Sequence, residues 1–192
     1  MPNALKIKQT MIEQGIPDDV IAQFDFPDPK GNLPEPMIGF INQMDALLTP
    51  EQRLAVMQEQ GCSKTGKMGA GSRAFSRDFK HLSLEEKIQL YVTSESYNPY
   101  RLPCQLNGDG TLSVFWGWKN NDQYQCVCAC IKKLKQPVNI SKTYCGCCAG
   151  HARHHLQIAL GIQLRLKEIV STPLNSDGKE RCEFLFEILP VK

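Results

Sequence analysis

The sequence lacks an apolar run long enough to cross a lipid bilayer. Its first residues, MPNALKIKQTMIEQ, also lack the uninterrupted apolar stretch of a secretory signal. These absences argue against a membrane protein and favour a cytoplasmic one. In that reducing compartment structural disulfides are rare, and the nine cysteines are an odd number that cannot all pair within the chain. We therefore expect free thiols or metal ligands.

A marked excess of charge of either sign is absent as well. The chain has 22 Lys and Arg against 20 Asp and Glu, a formal net charge of +2. Binding to nucleic acid through phosphate contacts therefore has little support. With 192 residues, 42% of them hydrophobic, the chain is long and apolar enough to build one core of ordinary size.

Residues 1–95 are predicted to be helical and to pack on the remainder of the chain as part of one globular unit. Helices are expected at 4–14, 37–48, 50–60 and 84–93, with Thr49 and Ser83 as N-caps. Four prolines within 24–36 predict an extended loop. Residues 62–73 are rich in Gly, Ser and Lys, and no apolar strand precedes them, so a flexible loop is predicted there.

Residues 100–192 predict an α+β core, an antiparallel sheet with one central helix in the order β-β-(β)-α-β-β. Asn107-Gly108-Asp109-Gly110 separates two apolar runs, which is a strong hairpin signal. Residues 124–131 alternate in character and predict a third strand. A helix is expected at 146–160, ended by Gly161, and two further strands at 163–172 and 180–189.

Seven potential soft-metal ligands fall within 26 residues of this core. They are Cys126, Cys128, Cys130, Cys145, Cys147, Cys148 and His151. Thiolates together with imidazole suit zinc or an iron–sulfur centre, so all seven are candidate metal ligands. Same-face side chains of a flat strand lie about 6.6 Å apart, whereas two sulfurs on one zinc lie roughly 3.7 Å apart. The first three would therefore need a bend, and the alternative is that they are inert, packed thiols.

The second group of cysteines falls where the predicted helix begins. Backbone N–H groups and the helix dipole would stabilise a thiolate there. Cys147 and His151 lie one helical turn apart, which permits nucleophilic catalysis with Cys147 or Cys148 as nucleophile and His151 as base. On the helix surface a site can form at the helix start, from Cys145 and Cys148 with a histidine. Alternatively, Cys147 and His151 face a pocket closed by the N-terminal helices, and Cys62 approaches from its loop.

Four further residues are candidates for contacting a bound cofactor or ligand. They are His154, His155, Trp116 and Tyr144. An aromatic side chain on a sheet beside a pocket can line a hydrophobic ligand site, although packing in the core is the commoner role. The histidines can equally form a solvated helix face. Cys104 and Cys182 alternate with apolar strand positions and are predicted to be core residues.

The segments Tyr144–His151 and Gly178–Phe184 carry a resemblance to a known family. Residues 100–189 resemble the vinyl-reductase-like domain, which belongs to the clan of the haem–nitric oxide sensor domains. They are also similar to a cysteine-rich bacterial group and, more distantly, to aminothiazoline-carboxylate hydrolases. The resemblance implies a small-molecule-binding α+β domain with a pocket between the sheet and the N-terminal helices. The chain departs from the family pattern in its extra cysteines.

Three hypotheses of function follow. The first is a small-molecule or metal-binding protein with a sensing or accessory role, which uses the Cys/His cluster and can act as a homodimer. The second is a cysteine-dependent hydrolase of a small C–N or C–S compound. The third is a structural domain whose thiols are merely packed. The sequence leaves open whether the protein is an enzyme.

Overall fold

Seven helices form in the part of the chain that the structure describes, a computed structural model covering residues 2–28, 34–62, 64–134 and 140–190. They are α1 (Ala4–Glu13), α2 (Asp18–Ile21), α3 (Pro34–Leu47), α4 (Pro50–Met57), α5 (Gly66–Asp78), α6 (Leu84–Thr93) and α7 (Gly146–Leu160). Both predicted N-caps are confirmed, because Thr49 with Gln52 and Ser83 with Glu86 form reciprocal capping boxes. The loop predicted at 24–36 ends earlier than expected, since α3 begins at Pro34, and residues 29–33 lie outside the described residues.

The predicted loop over 62–73 is wrong, because α5 begins at Gly66 and continues to Asp78. Its glycines provide close packing. A Cβ atom at Gly71 would lie 2.3 Å from the Tyr97 carbonyl oxygen, so only glycine lets the helix approach that segment. Met68 and Phe75 on the same helix are almost fully buried and supply its apolar face.

The predicted α+β class is confirmed by an antiparallel sheet of four strands, which are β1 (Cys104–Leu106), β2 (Thr111–Trp116), β5 (Gln163–Ser171) and β6 (Cys182–Leu189). Their order across the sheet is β1-β2-β6-β5. Val114 pairs with Phe184, and Phe186 pairs with both Leu112 and Leu166. These buried side chains share one face of the sheet, on which α7 packs.

The predicted strand over 124–131 is wrong beyond Gln125. The strands β3 (Trp118–Asn120) and β4 (Gln123–Gln125) form a separate ladder, whose last pair is Trp118 with Gln125. Gly117, with a φ of +139°, turns the chain away before β3, so the residues after β4 have no strand to pair with. Cys126 and Cys128 therefore lie in irregular backbone, and Cys130 precedes a short 3₁₀ helix, Ile131–Lys133.

Helix α7 ends at Gly161, whose φ of +72° gives the expected left-handed cap. Its first turn lies between two apolar cores. Cys148 belongs to the core beneath the sheet, and Cys147 belongs to the core built from α1, α3 and α4. The start of α7 therefore joins the helical part of the chain to the sheet. Within the described residues, no helix combines the length and apolar character that crossing a bilayer requires.

Candidate functional site

Three glycines let the first turns of α7 touch the segment that follows α4. A Cβ atom at Gly146 would lie 2.6 Å from Cβ of Met57, and one at Gly150 would lie 2.3 Å from the carbonyl oxygen of Gln58. A Cβ atom at Gly61 would lie 2.7 Å from the backbone of Gly150. Because no other residue fits at these distances, glycine at all three positions fixes Cys62 beside α7.

A cavity of about 310 Å³ opens at this junction. It is lined by Cys62, Tyr100, Trp116, Val127, Cys128, Ala129, Cys130, Tyr144, Cys147, Cys148 and His151. Five of these side chains are thiols, and aromatic and aliphatic groups supply the rest of the wall apart from one imidazole. A small concave site with apolar walls and a few reactive groups is the usual form of a small-molecule site.

Cys62 is the first reactive group of the cavity. The neighbouring Cys147 side chain and then His151 stabilise its thiolate and lower the pKa of Cys62 to about 4, against the opposing effect of burial. The same contact with Cys62, together with burial, raises the pKa of Cys147 well above its ordinary value. At neutral pH the pair therefore consists of a thiolate at Cys62 and a thiol at Cys147.

His151 holds the other side of Cys62. Its Nδ1 lies 2.5 Å from the Cys62 carbonyl oxygen, which can only accept, so Nδ1 carries a proton. Its Nε2 is shielded from solvent and has no hydrogen-bond partner. The imidazole stacks on Trp116 with ring centres 5.0 Å apart and an interplanar angle of 25°. A buried imidazole nitrogen without a partner is the kind of group that a ligand satisfies.

Cys128 forms a second thiolate with Cys148. A hydrogen bond from the buried Cys148 thiol is the largest cause that lowers the pKa of Cys128, to about 5. The backbone N–H groups of Ile131 and Cys130 at the start of the 3₁₀ helix, and the Cys130 side chain, lower it further. Contact with Cys128 and burial raise the pKa of Cys148 well above its ordinary value. The cavity thus carries two thiolate–thiol pairs.

The other cysteines do not line the cavity. Burial raises the pKa of Cys104 and of Cys182 to about 12, which agrees with their predicted place in the core. Burial also raises the pKa of Cys126 and of Cys145. Of the two arrangements considered for the start of α7, the structure therefore shows the cavity that Cys147 and His151 face, whereas Cys145 packs in the core.

Of the four side chains predicted to contact a cofactor, two line the cavity and two do not. Trp116 and Tyr144 line the cavity, and the Tyr144 hydroxyl is buried without a hydrogen-bond partner. His155 is fully buried behind His151, at 4.6 Å between ring centres, and its Nδ1 lies 3.4 Å from Ser72 Oγ. His154 is half-buried beside His155, and burial lowers its pKa.

For the predicted zinc or iron–sulfur centre, the described residues offer no ready ligand set. Among the side chains that the structure describes, no three His, Cys, Asp or Glu groups are placed to hold a metal ion. Four of the five cavity thiols are divided between two separate pairs, Cys62 with Cys147 and Cys128 with Cys148, rather than gathered at one point. A tetrahedral site needs four ligands around one point, so these residues do not fit a closed metal centre as they stand.

Cys62 and Tyr100 were absent from the predicted site residues. The sequence predicts Cys62 only as a thiol that approaches from a loop, because its glycine-rich surroundings indicate flexibility. The one local signal for Cys62 is the glycine that follows Gln60, because a glycine can mark a close backbone approach as well as a helix end. Tyr100 carried no signal in its local sequence.

Comparison with protein-family models, with curated proteins and with solved structures gave no match for this chain. The resemblance to the vinyl-reductase-like domain therefore stays a prediction, and the function is argued from the cavity.

Proposed function

We propose that this protein binds a small, mainly apolar molecule in the cavity at the start of α7 and holds it against reactive thiolates, in a sensing or accessory role in a reducing cytoplasm. The observation that carries the proposal is the combination in one cavity of aromatic walls with Cys62 and Cys128. Thiolates are costly to keep in an apolar wall unless something binds or reacts there.

The chemistry of the wall limits the class of ligand. Trp116, Tyr144 and Val127 favour a planar or branched apolar body over a polar one such as a sugar or a nucleotide phosphate. Thiolates are soft nucleophiles, which favours a ligand with an electrophilic carbon or sulfur. The unpartnered Nε2 of His151 offers one hydrogen-bonding position to a polar group of the ligand.

Binding can be tested with the dye 8-anilinonaphthalene-1-sulfonate, whose fluorescence rises in apolar sites. Trp116→Ala removes an aromatic wall and should weaken dye binding about tenfold, a loss typical of one large apolar contact. Trp118→Ala is the matched control, because Trp118 is 47% exposed and does not line this cavity. Equal affinities in the two variants would contradict the proposed cavity.

Metal content, measured by plasma mass spectrometry on anaerobically purified protein, tests the alternative of a metal centre. Near-stoichiometric zinc or iron would favour metal over an organic ligand and would require the paired thiols to move together. A metal-free protein that binds the dye would support the small-molecule site.

The second candidate is a cysteine-dependent hydrolase of a small C–N or C–S compound. The contact between Cys62 and His151 favours it, because the thiolate can attack a carbonyl carbon and expel the leaving group, after which the imidazole can take a proton from the water that hydrolyses the acyl enzyme. In this arrangement Cys62 is the nucleophile, and the predicted nucleophiles Cys147 and Cys148 are thiols whose pKa values are raised. Repeated turnover of an aryl thioester that disappears in Cys62→Ser would favour hydrolysis, whereas stoichiometric modification of Cys62 would favour binding.

A further inference from the structure

The position of Cys62 and Cys147 in one cavity wall carries a further inference. We propose that Cys62 and Cys147 form a dithiol–disulfide couple that reduces a small organic disulfide bound in the cavity. Both side chains line the cavity, and the hydrogen bond of Cys147 Sγ to the Gln60 carbonyl places it beside the segment that carries Cys62. This redox activity uses the cavity of the proposed ligand-binding function, but its test reads covalent bonds at sulfur and so can fail independently of dye binding.

The two thiols are held together by backbone packing. Cys147 lies in the first turn of α7 and its Sγ donates to the carbonyl oxygen of Gln60 at 3.2 Å, two residues before Cys62. The Gly61–Gly150 approach prevents the two segments from separating without a change in both. A couple that forms a disulfide readily needs this closeness, because the bond requires Cα atoms about 4.4–6.8 Å apart.

Their burial assigns the two roles. Cys62 is half-buried at the cavity wall and can meet a substrate, whereas Cys147 is 4% exposed and lies behind it. A thiol–disulfide couple typically has one accessible attacking sulfur and one buried resolving sulfur. The lowered pKa of Cys62 and the raised pKa of Cys147 agree with this order.

The reaction balances with the organic disulfide as the oxidant. The Cys62 thiolate attacks one sulfur of the disulfide, breaks its S–S bond and releases one organic thiolate, which takes a proton from solvent. Cys147 then loses its proton to solvent and attacks the Cys62 sulfur, which forms the Cys62–Cys147 bond and releases the second organic thiolate. Two thiols of the protein are oxidised, and one disulfide is reduced to two thiols.

The second pair in the cavity, Cys128 with Cys148, has the same thiolate–thiol contact. Its attacking residue lies in irregular backbone between β4 and the 3₁₀ helix, without the glycine packing that fixes Cys62. The Cys62–Cys147 pair therefore carries the proposal, and the state of Cys62 is the quantity to measure.

The experiment treats reduced, full-length protein with a small excess of bis(2-hydroxyethyl) disulfide under anaerobic conditions. Quenched samples are digested with trypsin, which places Cys62 in a peptide with no other cysteine, and are analysed by tandem mass spectrometry. We expect Cys62 to appear linked to Cys147. A stable mixed disulfide at Cys62, a link from Cys62 to another cysteine, or unreacted Cys62 would each overturn the proposal. Dye binding retained in that case would leave the ligand-binding proposal standing.

Variants separate the two steps. Cys147→Ser should trap Cys62 as the mixed disulfide in nearly every molecule, and Cys62→Ser should slow oxidation of Cys147 at least tenfold. Cys126→Ser is the matched control, since Cys126 is another half-buried thiol but does not line the cavity, and it should behave as the parent protein does. Circular dichroism and the urea midpoint establish that each variant is folded. If Cys126→Ser slowed the oxidation of Cys147 as much as Cys62→Ser does, the assignment of Cys62 as the attacking residue would be wrong.

Discussion

The backbone carbonyl of Cys62 accepts a hydrogen bond from Nδ1 of His151 at 2.5 Å, across 89 positions of the sequence. The carbonyl oxygen can only accept, so this bond places a proton on Nδ1, and Nε2 is left without a partner. It also holds the imidazole against the sulfur of the same cysteine. One contact thus fixes the orientation of the histidine and places it beside a thiol whose pKa it helps to lower.

The reactivity of Cys62 should consequently be almost independent of pH near neutrality. With a pKa of about 4, Cys62 is a thiolate throughout pH 6–8, so its alkylation rate with iodoacetamide should be flat. Burial raises the pKa of Cys126, whose rate should rise about tenfold per pH unit over the same range. Peptide-resolved mass spectrometry measures both thiols in one sample.

Cys147→Ala provides the companion measurement to this pH profile. It removes the largest cause of the lowered pKa, so the Cys62 profile should move to higher pH. A Cys62 rate that rises tenfold per unit in the parent protein would show that the thiolate is not stabilised as described.

Local signals in the sequence account for most of the fold. Thr49, Ser83 and Gly161 mark helix ends through bonds to residues a few positions away, and these are the contacts that a sequence displays directly. Alternation predicted the strands of the large sheet, since each has a neighbour with which to pair and a helix to cover it.

Features that depend on distant partners were harder to predict. Gly71 packs against Tyr97 and Gly61 packs against Gly150, yet in sequence both resemble the glycines of a flexible loop. The alternation around Cys128 predicts a strand, but a strand exists only where another strand pairs with it. For the candidate site, residue types therefore predicted the cavity face of α7, while the pairing of its thiols required the three-dimensional contacts.

The glycine contacts can be tested by adding one methyl group. Gly150→Ala would place a Cβ atom 2.3 Å from the Gln58 carbonyl oxygen, so α7 and the segment after α4 must separate. We expect the free energy of unfolding to fall by about 1–3 kcal/mol, the usual cost of overpacking. The pKa of Cys62 should rise as its contacts with Cys147 and His151 lengthen.

Gly39→Ala is the control for this substitution. Gly39 lies within α3, and a Cβ atom there would meet nothing within 4 Å, so alanine should stabilise the helix by about 0.5–1 kcal/mol. Urea unfolding and the alkylation profile of Cys62 measure both variants. Equal stability of the two variants would contradict the close approach at Gly150.

Asn98 connects the end of α6 to the start of the sheet. It is fully buried, its Nδ2 donates to the carbonyl oxygens of Tyr91 and Leu102, and its Oδ1 accepts from the Leu102 N–H at 3.0 Å. Asn98→Ala removes these bonds from the Leu102 N–H and carbonyl, whereas the Tyr91 carbonyl keeps the Ser94 N–H, and the change should cost about 2–4 kcal/mol. Asn120→Ala, at an exposed position of β3, should change stability by less than about 0.5 kcal/mol. Similar urea midpoints for the two variants would refute this account.

Buried thiols should make the fold sensitive to alkali. In the unfolded chain Cys104 and Cys182 ionise near their ordinary pKa of 9.0, whereas in the folded protein burial raises the pKa of each to about 12. Between these values unfolding releases protons, so rising pH favours the unfolded chain. Their contribution to stability is complete below about pH 9 and is lost as the pH approaches 12.

The effect of one such thiol can be isolated by comparing the pH dependence of two proteins. Around pH 10, each buried thiol should lower the free energy of unfolding by about 1 kcal/mol per pH unit. Cys104→Ala removes one of them, so its urea-unfolding free energy between pH 9.5 and 10.5 should fall less steeply by that amount. Comparing slopes cancels the titration of groups that both proteins share, as well as the packing cost of the substitution. Parallel slopes would mean that Cys104 ionises in the folded protein as readily as in the unfolded chain, which its burial in the core forbids.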